Sequence, residues 1–586
     1  GTSFQVIRGA WPDWWTDGFG ASAREVAVTR VAQGDMIANT SGLTMAALQG
    51  SRLPEKISDR IDAVNLALLF YTEHTVGFHA SVREPFHKYT MEQRSLKESY
   101  AWEAGRRAKM VGEETMGLLQ EYVSREEIPS LVVYNTMSHP RSGLVRVYID
   151  HQILPRYSSF NITDKQGNIA KAQPVERHSD GTYWSIWVDD IPAFGFKKYI
   201  IVTYERDPSE EAARKAREVN HQGMSVGKTV LENRWYKIEI DTLRGAISSV
   251  TDKEMNLELV DKASEWKLGE FIYELLDNRS QLESFRLTNY TREPLERVRV
   301  DGVDSGDVWN TIRFRGNTRA ANRDGTYEFE IRLFNTSKRI DLAYFIEKKM
   351  VLEPEGIYIA FPFAMDDGVI AFDVQGGEIR AGIDQIPGSA NDWNTVQNYA
   401  RVSNGKNQIV ISSPETPLMQ FGGINTGRYK AGATPETTHI YGWPMNNYWV
   451  TNFNAEQHGG FTWTYSITSS AGSEMRDAAL FGRGSRTPFL ARVLPGGGKG
   501  DQTWQGSFIQ GWPDNLLLIS AIPEQDGQSA IIQLRETEGR EAVISLENGL
   551  TGVPLNYTQV DVTGTRIENG DNKMKPFETR FFRIHF

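Results

Sequence analysis

Cysteine is absent from the sequence, and this absence excludes several classes of site. With no cysteine among 586 residues, the chain cannot form a disulfide framework, hold zinc or an iron–sulfur cluster through thiolates, or use a thiol nucleophile. Any metal site must therefore be built from histidines and carboxylates. The lack of cysteine is compatible with either an oxidising or a reducing compartment.

Long apolar runs and an excess of positive charge are also lacking. No apolar stretch approaches the about 18 residues of a membrane-spanning helix, so we expect no membrane partner. Lysine and arginine number 64 and aspartate and glutamate 75, for a formal net charge of −11. This balance argues against a nucleic-acid partner. At about 150 residues per domain, the length predicts about four structural units.

The two ends of the sequence differ in character. The N-terminal stretch has no initiator methionine and no apolar signal core, and a predicted strand follows almost at once. The last residues, 578–586, form an alternating run that is typical of a final strand. We therefore expect sequence to be missing before Gly1 rather than after Phe586.

Three amphipathic helices are predicted between residues 22 and 125. Ser22 with Glu25, and Thr90 with Gln93, have the spacing of capping boxes. Apolar residues recur every three or four positions in the second and third helices, at Ile57, Ile61, Val64, Leu68 and Tyr71, and at Ala101, Ala104, Ala108, Val111, Thr115, Leu118 and Tyr122. A three-helix bundle accounts for this pattern.

After residue 125 the apolar period becomes two. Tyr236, Ile238 and Ile240 alternate with charged residues, and similar runs occur at Tyr327 to Leu333 and at 144–149, 408–412, 541–546 and 578–586. Such strands bury one face of an antiparallel sheet. The predicted fold class is therefore α+β and multidomain, with a three-helix bundle followed by predominantly antiparallel β-sandwich domains.

The first candidate site segment runs from Trp11 to Gly18 and contains three tryptophans and two aspartates. Flat aromatic rings stack on the apolar faces of sugars, and carboxylates accept hydrogen bonds from hydroxyl groups. Trp11, Asp13, Trp14 and Trp15 are thus candidate carbohydrate-binding residues. The alternative is that these tryptophans pack the helices against the rest of the chain.

The second candidate segment, Tyr71 to His79, lies at the end of the second predicted helix. His74 could ligate a metal through its imidazole, with Glu73 beside it and His79 and His87 nearby in sequence. The alternative is that His74 only interacts with the helix dipole or packs.

These segments resemble glycoside hydrolase family 38, the α-mannosidase family. The resemblance begins with the stretches WPDWWTDGFGASAREVAVTR and LLFYTEHTVGFHAS. It continues through LVVYNTMSHPRSGLVRVYI, LENRWYKIEIDTLRGAISSVTDKEMNLELVD, LEPEGIYIAFPF, DQIPGSANDWNTVQNYARVSN and MNNYWVTNFNAEQHGGFTWTYSI, so it spans nearly the whole chain.

The resemblance implies a domain plan. Residues 1–21 would end a truncated, barrel-like catalytic domain, and 22–125 would be the helical bundle. Residues 126–225 would form a small β domain with a charged linker at 205–223. Residues 226–586 would form a large β-sandwich region, a supersandwich of the galactose-mutarotase type, with a C-terminal β subdomain.

The resemblance also implies site residues. A histidine at the position of His74 completes a zinc site whose other ligands, a His-x-Asp pair and a nucleophilic Asp, lie earlier in the family's catalytic domain. The only His-x-Asp of this sequence, His178 to Asp180, falls in the β region and does not match that motif. Thr75 stands where many family members have an aspartate that contacts a sugar hydroxyl. We therefore expect no catalytic residue in this chain and one metal ligand.

Two functions remain open on this basis. The chain is either the C-terminal part of a retaining zinc-dependent α-mannosidase-like hydrolase, forming part of its active-site wall, or a non-catalytic carbohydrate-binding or assembly module. In the first case zinc belongs to the intact enzyme, and the partners are a mannoside or glycan and the missing catalytic segment. We also expect an extracytoplasmic location, periplasmic or secreted. The sequence does not indicate an oligomeric state.

Overall fold

A computed structural model describes residues 9–156, 158–204, 225–427, 434–501 and 503–586. The predicted linker at 205–223 lies outside these described residues. The described chain forms two compact units. The first unit contains the described parts of Gly1–Val31, Ala67–Glu103 and Val219–Arg486, and the second contains those of Ala32–Leu66, Ala104–Glu218 and Thr487–Phe586.

Helices account for most of the chain up to residue 120, as predicted. A 3₁₀ helix, Trp14–Ser22, leads directly into α1 (Ala23–Leu48), followed by α2 (Ile57–Thr72), α3 (Lys88–Gln120) and the short α4 (Ser280–Glu283) and α5 (Met475–Arg486). The predicted apolar stripe of α2 is buried at Ile57, Val64 and Tyr71. None of the helices described has the length and apolar character that crossing a bilayer requires.

Both predicted capping boxes are wrong in detail. Ser22 ends the 3₁₀ helix instead of following extended chain, and its hydroxyl donates to the Glu25 carboxylate (3.2 Å). Helix α3 begins at Lys88, so Thr90 lies inside it, and the Thr90 hydroxyl donates to the Glu84 carbonyl (2.9 Å). In both places helical backbone begins before the residue that was predicted to cap the helix. The hydroxyl groups of Ser22 and Thr90 therefore donate to Glu25 and to the Glu84 carbonyl instead.

The strands lie mainly between and after these helices. Before the undescribed linker they are β1 (Ser130–Asn135), β2 (Arg141–Asp150), β3 (Ser159–Thr163), β4 (Ile169–Ala170), β5 (Ala172–Arg177), β6 (Gly181–Ile191) and β7 (Gly195–Tyr204). Between the linker and α5 they are β8 (Ser225–Val226), β9 (Val230–Glu232), β10 (Tyr236–Asp241), β11 (Ala246–Asp252), β12 (Leu257–Glu258), β13 (Phe271–Leu276), β14 (Tyr290–Glu293), β15 (Glu296–Asp304), β16 (Trp309–Asn317), β17 (Tyr327–Phe334), β18 (Ile340–Lys348), β19 (Glu355–Phe361), β20 (Val369–Val374), β21 (Gly377–Arg380), β22 (Asn394–Thr395), β23 (Ala400–Ser403), β24 (Asn407–Ser412), β25 (Leu418–Phe421), β26 (Ile440–Asn446) and β27 (Gly459–Ala471). After α5 they are β28 (Leu490–Leu494), β29 (Gln505–Ser507), β30 (Ile509–Gln510), β31 (Leu516–Pro523), β32 (Ser529–Glu536), β33 (Ala542–Val543), β34 (Glu547–Asn548), β35 (Asn556–Val560), β36 (Lys573–Met574) and β37 (Thr579–His585).

The named strands pair in antiparallel sheets, which confirms the predicted fold class. In the first unit the sheet orders are β12-β11-β10-β9-β8, β14-β13-β19-β26-β25-β22 and β15-β16-β17-β18-β27-β24-β23-β20-β21. In the second unit they are β28-β1-β7-β3-β4 with β29 on β7, β2-β6-β5, β31-β32-β37-β35, β30-β34 and β33-β36. We call the sheet that contains β26 the β26 sheet.

The alternation that predicted the strands is a burial pattern in the structure. In β10, Tyr236, Ile238 and Ile240 are buried while the residues between them are half-buried. The predicted strand at 541–546 is shorter than expected, because only Ala542–Val543 pairs with a neighbour, β36.

The β26 sheet is buried on both faces. One face packs into a core shared with the five-stranded and nine-stranded sheets, through residues such as Ile357, Ile359 and Met445. The other face carries a largely aromatic cluster that we call the aromatic layer, which contains Trp266, Ile272, Leu276, Tyr358, Ala360, Trp393, Leu418, Ile424, Tyr441, Trp443 and Tyr448, with Trp14 against it. Aromatic side chains of this size bury large apolar areas and stabilise the sheet strongly.

A buried ion pair joins the two sheets of the sandwich. The Lys348 ammonium on β18 lies 2.7 Å from the Glu355 carboxylate on β19, and their side chains are 0% and 2% exposed. Tyr273 donates a hydrogen bond to the same carboxylate (2.6 Å). Removing one partner of such a pair leaves an uncompensated charge in the core.

We predict that Lys348→Met lowers the free energy of unfolding of the first unit by about 3–5 kcal/mol, because it strands the Glu355 carboxylate. Urea unfolding followed by tryptophan fluorescence measures the change. The double variant Lys348→Met/Glu355→Met should recover most of the loss. Lys88→Met, which breaks an exposed pair with Glu92, should cost less than about 1 kcal/mol. Equal losses of unfolding free energy in Lys348→Met and Lys88→Met would contradict a stabilising role for the buried pair.

Candidate functional site

Asp13 is the N-cap of the 3₁₀ helix that contains Trp14 and Trp15. Asp13 has an extended backbone, and its carboxylate accepts a hydrogen bond from the Trp15 amide (2.8 Å), which caps the 3₁₀ helix. The Thr16 hydroxyl donates to the Asp13 carbonyl (3.0 Å). Asp13 is exposed, so the carboxylate that was predicted to bind sugar also has a local structural role.

The three tryptophans of this segment have different surroundings. The Trp14 indole packs against the aromatic layer, and its Nε1 donates to the Asp392 carboxylate (2.7 Å). Trp11 is 81% exposed and Trp15 46% exposed. The Trp14 ring therefore has a packing role. The Trp15 ring is partly exposed and has aromatic neighbours.

His74 lies directly beside Trp15. The two rings are stacked, with centroids 5.6 Å apart and planes inclined by 21°. Helix α2 ends at Thr72, and His74 follows in the left-handed region with φ 48°. The Gly77 amide donates to the Asn452 carbonyl (2.7 Å), which fixes the loop after His74. The structure thus brings together two predicted site residues that are distant in sequence.

Trp449 completes the surface on the other side of Trp15. Its ring meets the Trp15 ring edge-on, with centroids 4.9 Å apart, and its Nε1 donates to Oδ1 of the Asp17 carboxyl group (2.5 Å). We call Trp15, His74, Trp449 and Asp17 the Trp15 cluster. Sequence reasoning missed Trp449, although an indole next to the polar run MNNY was a signal that could have found it.

The 3₁₀ helix is held tightly against β26. The Asn446 side-chain amide donates to the Asp17 carbonyl (2.9 Å), and a Cβ at Gly20 would lie 2.1 Å from the Asn446 amide nitrogen. A Cβ at Gly18 would lie 2.3 Å from the Phe453 ring. Glycine is therefore required at both positions, because only its lack of a Cβ allows this close approach.

Asp17 is the titratable group of the Trp15 cluster with a perturbed pKa. Burial raises the pKa of Asp17 from 3.8 to about 8, and the hydrogen bond from Trp449 opposes this shift. The carboxyl group is therefore largely protonated near neutral pH. A buried, neutral acid that accepts from an indole is a positioning group rather than a nucleophile.

The described residues do not provide a complete zinc site at His74. Zinc sites in proteins usually have three or four ligands, and no group of three or more His, Asp or Glu side chains able to hold a metal occurs in the described ranges. His79 packs on Phe78, with ring centroids 4.1 Å apart. His87 accepts a long hydrogen bond from the Tyr89 amide (3.4 Å). His74 is thus a single exposed imidazole.

The Trp15 cluster has the chemical character of a sugar-binding surface. The exposed part of the Trp15 ring can pack on the apolar face of a pyranose. Neither His74 ring nitrogen is hydrogen-bonded to another described residue, so the imidazole can donate to or accept from a hydroxyl group. Trp11 and Asp13 are exposed nearby in sequence, but no hydrogen bond, ion pair or ring contact joins either of them to His74 in the described part of the chain.

We predict that Asp17→Asn removes a pH dependence from the stability of the first unit. Folding raises the pKa of Asp17 from 3.8 to about 8, so its stabilising contribution is full below pH 3.8 and is lost as pH rises towards 8. The wild type should lose up to about 1.4 kcal/mol per pH unit relative to Asp17→Asn in this window. Melting temperatures at pH 5 and 8 measure this, with exposed Asp13→Asn as the control. Parallel pH profiles of wild type and Asp17→Asn would contradict it.

Comparison with known proteins supports the resemblance seen in the sequence. Residues 231–415 match the family model described as the glycosyl hydrolases family 38 C-terminal domain. The search of curated proteins finds no match.

Two solved structures share the fold over nearly the whole chain. An α-mannosidase from Enterococcus faecalis V583 aligns over 98% of this chain and 69% of its own, with 12% identity and a TM-score of 0.70. A glycosyl hydrolase family 38 protein from Enterococcus faecalis aligns over 96% of this chain and 70% of its own, with 12% identity and a TM-score of 0.70. Residues 231–415 are thus similar to the C-terminal domain of glycoside hydrolase family 38, and the chain shares the fold of these two proteins over nearly its whole length.

Proposed function

We propose that the chain is the C-terminal portion of a retaining, zinc-dependent α-mannosidase-like glycoside hydrolase and forms part of its active-site wall. The observation that carries this proposal is the stacking of His74 on the partly exposed Trp15 ring. The match of residues 231–415 to the family 38 C-terminal domain supports a glycoside hydrolase, and a glycoside hydrolase acts on glycans. The mannoside as substrate is taken from the Enterococcus faecalis α-mannosidase that shares the fold.

In this proposal the Trp15 cluster binds and orients one sugar residue. Trp15 supplies an apolar platform, and Trp449 holds the Trp15 ring at the correct angle by edge-on contact. Asp17 fixes Trp449 through its indole N–H. Because Asp17, Trp449 and Trp15 are each restrained by a neighbour, the surface is preorganised and loses little conformational entropy on binding.

The catalytic groups and most of the metal ligands would come from a segment outside this chain. A retaining glycosidase uses two carboxyl groups about 5 Å apart, whereas Asp17 is the one carboxyl group of the Trp15 cluster and is buried against Trp449. The described residues do not fit zinc by themselves, so His74 would be one contributed ligand.

A non-catalytic carbohydrate-binding or assembly module is the second candidate. It is favoured by the partial exposure of Trp15 beside another indole, which suits a sugar-binding platform without any chemistry. The two candidates differ in what the coding region upstream of Gly1 specifies. A His-x-Asp motif there supports the hydrolase, and its absence supports the module.

We predict that the isolated chain does not hydrolyse 4-nitrophenyl α-D-mannopyranoside in the presence of zinc, because one imidazole cannot hold the metal and the cluster offers no free pair of carboxylates. Release of nitrophenolate measures this. Production with an upstream segment that contains a His-x-Asp motif should give activity, and His74→Asn should then remove it. Asn is the chosen replacement because it tolerates the left-handed backbone of His74. Chelator-sensitive turnover by the isolated chain would contradict the proposal.

A further inference from the structure

A second pocket lies at the edge of the aromatic layer, on the β26 sheet. Its volume is about 240 Å³, which is somewhat smaller than the about 300–1,000 Å³ of typical small-molecule sites. Its lining includes Glu265, Trp266, Arg292, His439 and Tyr441. None of these residues belongs to the Trp15 cluster.

The floor of the pocket combines aromatic rings with a polar group that has no partner. Trp266 and Tyr441 are members of the aromatic layer and are 7% and 6% exposed. Among the described residues, nothing forms a hydrogen bond with the Tyr441 hydroxyl, and Tyr441 lines the pocket. The Tyr441 hydroxyl is not among the buried polar atoms that lack a partner, so it is open to the solvent space of the pocket. There it can donate to or accept from a ligand with hydroxyl groups.

Arg292 is fixed at the pocket by a buried carboxylate. Its Nε lies 2.5 Å from the Glu274 carboxylate, directly across the β13–β14 ladder. Glu274 also accepts hydrogen bonds from the hydroxyls of Tyr358 (3.1 Å) and Tyr448. No hydrogen bond joins the two terminal nitrogens of Arg292 to another described residue. The guanidinium group is therefore held in place and still has donors for a ligand.

His439 and Glu265 are two further polar residues of the lining. His439 Nε2 lies 2.9 Å from the Asp261 carboxylate, which fixes the orientation of the ring and leaves Nδ1 available. Glu265 is exposed and has no ion pair among the described residues. Burial raises the pKa of Tyr441 to about 12, and the negative charge of Glu265 adds to this shift. The Glu265 carboxylate and the Tyr441 hydroxyl therefore interact electrostatically, and both line the pocket.

The balance of charge and polarity selects a neutral ligand. The positive charge of Arg292 is compensated by Glu274, and Glu265 adds a negative charge, so an anion is disfavoured. Donors, acceptors and a hydroxyl group around an aromatic floor match the alternating hydroxyl groups and apolar face of a pyranose. We propose that this pocket binds a single hexose unit of a glycan, as a second carbohydrate site that is independent of the Trp15 cluster.

Saturation-transfer NMR with methyl α-D-mannopyranoside as the probe tests this second site. The variant Trp15→Ala removes the aromatic platform of the first site, and we expect it to retain binding of the probe. Adding Tyr441→Phe should weaken this binding about fivefold, because one hydrogen bond to the ligand is lost. Glu265→Gln should weaken binding similarly, and since Glu265 is exposed, this variant keeps the fold. Tyr204→Phe, at an exposed tyrosine of β7, is the control and should change nothing.

Two results would overturn the proposal. The first is complete loss of probe binding in Trp15→Ala, which would support the first site and leave no second one. The second is unchanged binding in both Tyr441→Phe and Glu265→Gln, each with a wild-type melting temperature. Failure of the proposed hydrolase function would appear in the activity assay instead, so the two failures are distinguishable.

Discussion

The attachment of the 3₁₀ helix to β26 determines where the residues of the candidate site lie. Asn446 donates to the Asp17 carbonyl. Gln457 donates to the Gly20 carbonyl and accepts from the Ala23 amide, at 2.9 and 2.8 Å. These bonds satisfy backbone groups at the junction with α1 that would otherwise be buried without partners. Because this junction is fixed, Trp15 meets both His74 and Trp449, although they come from three distant parts of the sequence.

Both candidate carbohydrate surfaces are attached to the β26 sheet. Its first face is part of the sandwich core, and its second face holds the aromatic layer, against which Trp14 packs. Glu274 is buried in that layer and fixes Arg292, Tyr358 and Tyr448. A fully satisfied buried carboxylate of this kind specifies one arrangement of its neighbours. The same network that stabilises the sheet therefore also orients a polar group of the second pocket.

Local sequence patterns predicted the helices and strands, whereas long-range contacts determine which residues meet in the Trp15 cluster. The period of three to four in α2 and the period of two in β10 follow from burying one face, so sequence reasoning found them. The left-handed turn at His74 and the pairing of Trp449 with Asp17 depend on residues hundreds of positions apart. Residue spacing does not encode such contacts. For the same reason sequence reasoning grouped Trp14 with Trp15, although one is packed inside and the other is partly exposed.

The proposed function depends on the Trp15 ring as the platform of a sugar-binding surface. Titration of the chain with methyl α-D-mannopyranoside, followed by the intrinsic fluorescence of Trp15→Phe, Trp102→Phe and the wild type, measures this role. Trp102 on α3 is 48% exposed, close to the 46% of Trp15, and is the matched control. We expect a saturable fluorescence change in the wild type and in Trp102→Phe, and a clearly smaller one in Trp15→Phe. A full-sized change in Trp15→Phe would contradict it.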